Sequence, residues 1–285
     1  MIHPKTSQTI AWTVLSFLTF IVMGALIFLI IYTIVHGWSS LSLSFVFGPT
    51  TKGGLLAPIV GTIYLIVMTL LFVIPLGVGA AIYLSEYAPE NGFTHFIRYA
   101  LNSLAGIPSI IFGLFGVALF VTLVGHASIL AGALTMACLS LPFMVTATEE
   151  ALRSVPKSWR EASLGLGATK WETTWLVVLP SALPGIITGI ILCMGRVVAE
   201  TAPLLATAGF SPFVPTTPFD GARTLALHLF YLATEAPCTG SMTRHDLIAQ
   251  AMGIAVILLI VIVLMNTLIR VLSTLYTRRF LKQGA

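Results

Sequence analysis

The chain has 285 residues, of which 57% are hydrophobic and only 8% are charged, and its mean hydropathy is +1.00. A soluble globular domain carries about 25% charged residues, so this composition excludes a soluble domain as well as a disordered chain. The formal net charge is +4, but the basic residues lie between apolar blocks. That distribution favours orientation in a membrane over binding of nucleic acid.

In chain order, six apolar segments are long enough, or nearly so, to cross a bilayer as helices. A hydrocarbon core of about 30 Å needs roughly 20 apolar residues in a helix, and the alternating pattern of a membrane barrel is absent. We therefore predict an all-α integral membrane protein with one transmembrane domain over residues 1–285. Its predicted membrane spans cover residues 10–35, 58–84, 104–124, 127–148, 183–206 and 248–275.

The Lys and Arg residues of the loops predict the orientation of these spans, because cytoplasmic loops carry an excess of positive charge. If the N-terminus is cytoplasmic, the larger basic set is also cytoplasmic, namely Lys5, Arg98, Arg153, Lys157, Arg160, Lys170, Arg278, Arg279 and Lys282. The smaller, external set is then Lys52, Arg223 and Arg244. We predict a multi-pass inner-membrane protein with both termini in the cytoplasm and a long external loop over residues 207–247. In that loop, we expect a helix over Asp220–Glu235 with Asp220 as its N-cap.

The cytoplasmic loop between the fourth and fifth spans carries signals of two short helices. Ser158 and Glu161 fit a capping box, and Gly167 is suited to follow the end of a helix over Trp159–Leu166. Thr169 starts a second capping box with the Glu three residues later. From the residues alone, two interpretations remain open: a helix pair on anionic lipid, or a docking element for a cytoplasmic partner.

The fifth span is expected to begin late, because Pro180 and Pro184 are typical of the first turn of a helix. Arg196 and Glu200 are expected to lie from the middle to the outer half of this span; they are four residues apart and would share one helix face. A charge near the bilayer centre costs roughly 2.5–3.5 kcal/mol, so both side chains should face protein or a wet path rather than lipid. They form either an ion pair that fixes packing or part of a path for an anion.

The string from Glu161 to Thr169, followed by Leu179-Pro180 and Leu183-Pro184, resembles the EAA loop of ABC-importer permeases, with Ser163 in place of the second Ala. The resemblance implies that the loop, about residues 156–180, contains coupling helices that sit in a cleft of an ATP-binding subunit. The coupling residues that it implies are Arg160, Glu161, Ala162, Gly167 and Ala168.

Two further strings, Gly106–Leu114 and Arg196–Leu205, resemble the permease subunits of bacterial phosphate ABC importers, and the second is closer to the PstA type than to the PstC type. The resemblance implies the MetI-like ABC importer permease fold with six transmembrane helices. It implies a path for inorganic phosphate that includes Arg196, Glu200 and Thr201. An importer of another oxyanion, sulfate or molybdate, is the alternative.

The same resemblance implies the partners: a PstC-like permease, a dimer of PstB-like ATP-binding subunits, an external PstS-like phosphate-binding protein and membrane lipid, without nucleic acid. The sequence contains no G-x-x-x-x-G-K-[ST] string, so we expect ATP and Mg²⁺ to bind the partner subunit and no cofactor to bind this chain. No spacing typical of a nucleophile–base pair or a metal site is present. We therefore predict a transport subunit, with no catalytic and no metal-binding residues.

Overall fold

A computed structural model describes residues 4–234 and 244–283, and within these ranges the chain is helical without a strand. The helices are α1 (Pro4–Trp38), α2 (Leu43–Phe47), α3 (Leu56–Tyr87), α4 (Gly92–Ala105), α5 (Ser109–Val124), α6 (Ile129–Arg153), α7 (Lys157–Gly165), α8 (Lys170–Ala199), α9 (Ala202–Thr207), α10 (Leu225–Thr234) and α11 (Arg244–Gln283). A single 3-10 turn, Thr50–Lys52, precedes α3. The predicted all-α fold is confirmed.

Five helices of the described chain are long and apolar enough to cross a membrane: α1, α3, α6, α8 and α11. A sixth span exists if α4 and α5 are counted together, but these two helices meet at an angle of 98°. The predicted third span, 104–124, is therefore not one straight helix. Pro108 explains the break, because the residue before a proline is driven out of the helical conformation.

The loop after α6 differs from expectation at its first helix. α7 begins at Lys157, directly after Pro156, and no side chain caps it. Ser158 is thus already inside the first helical turn, and the predicted capping box with Glu161 is wrong. Gly167 has a φ of +89°, which is the left-handed conformation expected of a residue that follows a helix end.

The second predicted short helix is instead the beginning of α8. Its capping box is confirmed: the Thr169 N–H donates to Glu172 Oε2 at 2.8 Å, and the Glu172 N–H donates to Thr169 Oγ1 at 3.2 Å. From there the helix continues to Ala199 through π-helical turns over Thr173–Val178. These wide turns precede Pro180 and let the helix pass a residue that lacks an N–H donor. The prediction of a late start near residue 183 was wrong for this reason.

Small residues bring α6 and α8 close together. A Cβ on Gly185 would lie 2.6 Å from Ala151 Cβ, and one on Gly189 would lie 3.0 Å from Ala147 Cβ. Gly116 of α5 is equally constrained, since a Cβ there would overlap the Thr135 side chain. These positions serve close helix packing, as in other membrane helix interfaces. By contrast, α1 is exposed along its apolar length and packs chiefly on α11.

The loop over residues 207–247, which was predicted to be external, contains α10, but Asp220 does not cap it. The Asp220 carboxylate accepts hydrogen bonds from the backbone N–H groups and hydroxyls of Thr216 and Thr217, at 2.7–2.9 Å, and closes a separate turn. These bonds hold the pKa of Asp220 well below its usual range. Thr224 precedes α10, and its hydroxyl accepts from the Leu227 N–H. The predicted Asp220 cap is therefore wrong, and Glu235, the predicted last residue of the helix, lies outside the described residues.

Candidate functional site

Arg196 lies halfway along the helix bundle. Its guanidinium carbon is 4.1 Å from the centre of the Phe143 ring, and Phe143 is the fifteenth of the 25 residues of α6. One turn earlier on α8, Cys193 contacts the Ser140 carbonyl of α6. These contacts place the charge of Arg196 level with the middle of α6. The transfer of a charged side chain from water into a bilayer costs most near the bilayer centre.

Glu200 is the residue at which α8 ends, so the two charges do not share a continuous helix face. Its backbone has a ψ of 136°, outside the helical region, although its N–H still donates to the Arg196 carbonyl at 3.1 Å. The carboxylate Oε1 is 3.6 Å from Arg196 Nε, which is longer than a hydrogen bond. Within the described ranges, Arg196 Nε is buried and has no hydrogen-bond partner. The pair is an ion pair that leaves this donor unused.

Thr201 follows in the two-residue break between α8 and α9. Its φ of −122° and ψ of −49° belong to neither helix, and its carbonyl accepts from the Leu205 N–H at 3.0 Å. Pro203 in the first turn of α9 lies against Gly113 of α5, where a Cβ would come within 2.8 Å. The break is therefore held against α5, and it ends the predicted fifth span at Ala199 rather than at residue 206.

A groove of about 530 Å³ opens beside Arg196, between α4, α6 and α8. Most of its lining is apolar, and its polar side chains are Asn102, Thr146, Glu150 and Arg196. The structure thus brings Arg196, but neither Glu200 nor Thr201, to this groove. An arginine in the wall of a largely apolar groove offers an anion a local positive potential, which the Glu150 carboxylate in the same lining reduces.

The helix of the predicted coupling loop, α7, has two distinct faces. Glu161 and Ala162 are exposed, as are the apolar side chains of Trp159, Leu164 and Leu166. Gly167 is exposed and Ala168 is half-buried in the turn that follows. Four of the five predicted coupling residues thus lie on the outward side of α7 or in the turn beyond it.

Arg160, the fifth predicted coupling residue, points inward. Its Nη2 and Nε donate to both carboxylate oxygens of Glu86, at 2.8 and 3.2 Å. The same guanidinium donates to the Leu152 and Val155 carbonyls at the end of α6, each at 2.8 Å. Ser163, one turn further along α7, makes a 2.9 Å hydrogen bond with the Thr173 hydroxyl of α8.

A second charge network lies beside the first. Arg98 of α4 donates to Glu149 at 2.8 Å and to Glu90 at 2.9 Å, and Arg153 donates to Glu149 at 2.7 Å. The Arg98 guanidinium holds the pKa of the exposed Glu90 carboxyl below its usual range. The sequence analysis paired none of these carboxylates with an arginine of the chain. Glu149 and Arg153 are four residues apart on one helix, a spacing that indicates such a pair, whereas Glu86 and Arg160 are 74 residues apart and no local spacing connects them.

The sequence analysis missed Phe143 and the contact of Glu86 with Arg160. Phe143 lies in an apolar run, where nothing distinguishes an aromatic residue that holds a cation from one that faces lipid. Glu86 carried a faint signal, since it is a charge in the last turn of a long apolar helix. Within the described residues, no group of three or more His, Cys, Asp or Glu side chains is placed to hold a metal ion.

The sequence matches known proteins over most of its length. Residues 73–282 match the family described as the binding-protein-dependent transport system inner membrane component. The probable ABC transporter permease protein YqgI of Bacillus subtilis (strain 168) is 39% identical over 280 residues, covering 91% of this chain and 92% of that protein. The phosphate transport system permease protein PstA 1 of Mycobacterium tuberculosis (strain CDC 1551 / Oshkosh) is 35% identical over 244 residues. This match covers 85% of this chain and 78% of that protein.

The fold agrees with that of a solved importer. The MetNI methionine ABC transporter, in an inward-facing conformation, has a chain that superposes with a TM-score of 0.57 at 20% identity. The superposition covers 77% of this chain and 94% of that chain. Members of the matched family work with an ATPase and a periplasmic binding protein. The chain belongs to the binding-protein-dependent transport system inner membrane component family, and it is a multi-pass, non-enzymatic permease subunit of an ABC importer.

Proposed function

We propose that this chain is the PstA-type permease subunit of a phosphate importer. It forms the translocation path with a PstC-like permease subunit, and an external PstS-like protein delivers inorganic phosphate to them. A dimer of PstB-like subunits binds ATP and Mg²⁺, so this chain itself holds no cofactor. In this arrangement both termini and α7 lie in the cytoplasm, and residues 207–247 lie outside.

The observation that carries the proposal is the state of Arg196. A guanidinium is held at the level of the middle of α6, beside a groove, with a buried Nε–H that no described residue accepts. A cation at this depth is costly even with a carboxylate 3.6 Å away, and such residues usually mark the path of an ion or substrate. Arginine suits phosphate because its planar fork donates two parallel hydrogen bonds to the oxygens of one anion.

Glu200 adjusts the strength of that interaction. Its carboxylate is 3.6 Å from Arg196 Nε and only 18% exposed, so it partly neutralises the cation without occupying the donor. A path must release its anion, and a partly neutralised arginine holds phosphate more weakly than a free one. Thr201 follows Glu200 in the break after α8 and would offer a hydroxyl to the same path.

The names of the relatives do not all state phosphate as the substrate. PstA 1 is named as a phosphate permease, whereas the name of YqgI states no substrate. Phosphate is therefore preferred on the resemblance together with the Arg196 geometry, and the experiment includes the other oxyanions.

The exposed face of α7 supports the coupling role. Glu161 and Ala162 lie among exposed apolar side chains on a short helix that follows directly from α6. Exposed apolar surface next to charged groups is typical of a docking site for a protein. We propose that Glu161, Ala162, Gly167 and Ala168 contact the ATP-binding subunit.

The test is uptake of labelled phosphate at micromolar concentration by cells that lack this chain but contain its partner subunits. The cells receive the wild-type chain, Arg196→Ala or Arg196→Lys, and assembly in the membrane is measured for each. A matched control is Arg270→Ala, which removes an exposed arginine of α11 that does not line the groove. Wild type and Arg270→Ala should restore uptake, whereas Arg196→Ala should lower it at least tenfold.

Two results would contradict the proposal. If the assembled wild-type chain restores uptake of sulfate or molybdate but not of phosphate, the substrate is a different oxyanion. If Arg196→Ala transports as well as wild type, the arginine serves packing and does not form part of the path.

A further inference from the structure

The Arg160 side chain, like that of Arg98, makes several hydrogen bonds within the chain at the α7 end of the described structure. Four of its five N–H groups donate to acceptors of the same chain: two to the Glu86 carboxylate and one each to the Leu152 and Val155 carbonyls. The side chain is 20% exposed and that of Glu86 only 9%. A residue bonded in this way has one N–H group left for a partner protein.

We propose that Arg160 is a positioning residue that fixes α7 to the ends of α3 and α6, so that force applied to α7 moves these helices together. The inference rests on the proposed function, in which the ATP-binding subunit binds the outward face of α7. Arg160 was expected to contact the ATP-binding subunit. In this proposal its neighbour Glu161 makes that contact instead. Arg160 transmits the movement on the opposite side of the same helix.

The three acceptors belong to two different spans. Glu86 lies in the last, π-helical turn of α3, Leu152 lies in the last turn of α6, and Val155 lies two residues beyond the end of α6. The terminal carbonyls of a helix lack partners within it and carry its partial negative charge, so a cation there is doubly favoured. One guanidinium therefore joins α7, α3 and α6.

Only an arginine makes this junction. The guanidinium is planar and rigid and directs its donors along several fixed lines, whereas a lysine is a point charge at the end of a flexible chain. Arg160→Lys keeps the charge and most of the length but loses the simultaneous bonds. The hydrogen bond between Ser163 and Thr173 still ties α7 to α8, so the helix should remain in place but become loose relative to α3 and α6.

The experiment uses the whole importer, purified and placed in proteoliposomes with its binding protein, phosphate and ATP. The variants are Arg160→Lys, Glu86→Gln and, as a matched control, Lys157→Ala, which removes an exposed cation from the same helix. Three quantities are measured: copurification of the ATP-binding subunit, the rate of ATP hydrolysis, and phosphate transported per ATP hydrolysed. Amide hydrogen exchange of α7 is measured in the same complexes, and it needs no substrate.

We expect Arg160→Lys and Glu86→Gln to keep the ATP-binding subunit and to hydrolyse ATP within twofold of wild type. Phosphate moved per ATP should fall at least tenfold in both, and exchange of the α7 amides should rise at least tenfold. Lys157→Ala should match wild type. Glu86 is decisive because it lies on α3, away from the outward face of α7.

The proposal is overturned if transport per ATP and α7 exchange stay at wild-type values in both variants. It is also overturned if Arg160→Lys loses the ATP-binding subunit while Glu86→Gln keeps it, since Arg160 would then be a docking residue. Loss of the subunit in both variants would make the pair an assembly element, which also contradicts transmission. If wild type hydrolyses ATP but moves no phosphate, the substrate assignment fails, and the exchange measurement still decides the role of Arg160.

Discussion

Arg196 and Phe143 form a cation–π pair in the middle of the bundle, with 4.1 Å between the guanidinium carbon and the ring centre. The face of the ring attracts the cation but accepts no N–H hydrogen bond of ordinary strength. The pair therefore holds a positive charge at a depth where it is costly and leaves its donors to an anion. A carboxylate in place of the ring would have neutralised the charge.

Phe143→Leu should lower phosphate uptake while the protein still assembles. The substitution keeps apolar volume but removes the ring, and a cation–π contact contributes about 0.5–2 kcal/mol, which corresponds to roughly 2- to 30-fold in rate. Phe143→Tyr should retain most of the activity. Uptake per assembled complex is the measurement, with Phe96→Leu on the exposed face of α4 as the control. Equal uptake by Phe143→Leu and wild type would show that the ring does not position Arg196.

The packing of α5 predicts a difference between two glycine substitutions. In Gly116→Ala the new Cβ would overlap the Thr135 side chain and lie 2.9 Å from Thr207 Cγ2, so we expect destabilisation by roughly 1–3 kcal/mol. Gly79→Ala on α3 meets nothing within 4 Å and should be neutral or stabilise by up to about 1 kcal/mol. Melting temperatures of the purified complex should fall for the first variant only. A comparable loss in both would argue against close contact at Gly116.

His228 predicts a dependence of stability on pH. Burial, with a smaller effect of Arg223, lowers the pKa of this histidine of α10 to about 4, and the neutral ring nitrogen is 3.1 Å from Arg223 Nη1. Between the unfolded pKa near 6.5 and the folded value, the unfolded state binds more protons, so stability is full above about pH 6.5 and falls as the pH decreases. The total is roughly 3 kcal/mol at most.

Melting temperature measured from pH 7.5 to pH 4.5 tests this dependence. Wild type should lose stability more steeply than His228→Gln, which cannot titrate. His126→Gln removes an exposed histidine and should keep the wild-type slope. Identical slopes for wild type and His228→Gln would mean that the ring is not kept neutral by its surroundings.

The turn after α7 predicts a conformational requirement at one of two nearby glycines. Gly167 has a φ of +89°, so Gly167→Ala should cost about 1 kcal/mol or more and turn the end of α7 away from its docking position. Gly165→Ala, two residues earlier and inside the helix, meets no atom within 4 Å and should be neutral. Copurification of the ATP-binding subunit should fall for Gly167→Ala alone. If Gly165→Ala weakens it equally, the left-handed turn is not the cause.

Two local signals in the sequence predicted local structure correctly. The Thr169–Glu172 box and the left-handed Gly167 involve neighbours in the chain, and both are present in the structure. The box at Ser158 failed for an equally local reason, since Pro156 starts α7 two residues earlier than a serine cap requires. The start of the fifth span was predicted too late because Pro180 was expected to mark the first turn of the helix. The π-helical turns before Pro180 let the helix begin earlier, and the sequence pattern did not predict them.

The candidate site shows where such inference ends. The presence of a charge in the fifth span was evident at Arg196, but its partner Phe143 lies on another helix 53 residues earlier and has no distinctive spacing. In the same way, Arg160 was assigned to coupling from its position beside Glu161, while its direction depends on Glu86, 74 residues away. The direction in which a side chain points depends on tertiary packing, and the periodicity of the sequence does not predict that packing.

The right-angled junction between α4 and α5 also affects the lipid around the protein. Beyond the 98° bend, α5 has only the residues from Ser109 to Val124, which span about 24 Å at 1.5 Å per residue. A hydrocarbon core of about 30 Å exceeds this length, and a short helix is accommodated by thinning of the bilayer beside it. Membranes with shorter acyl chains should therefore match this side of the protein best.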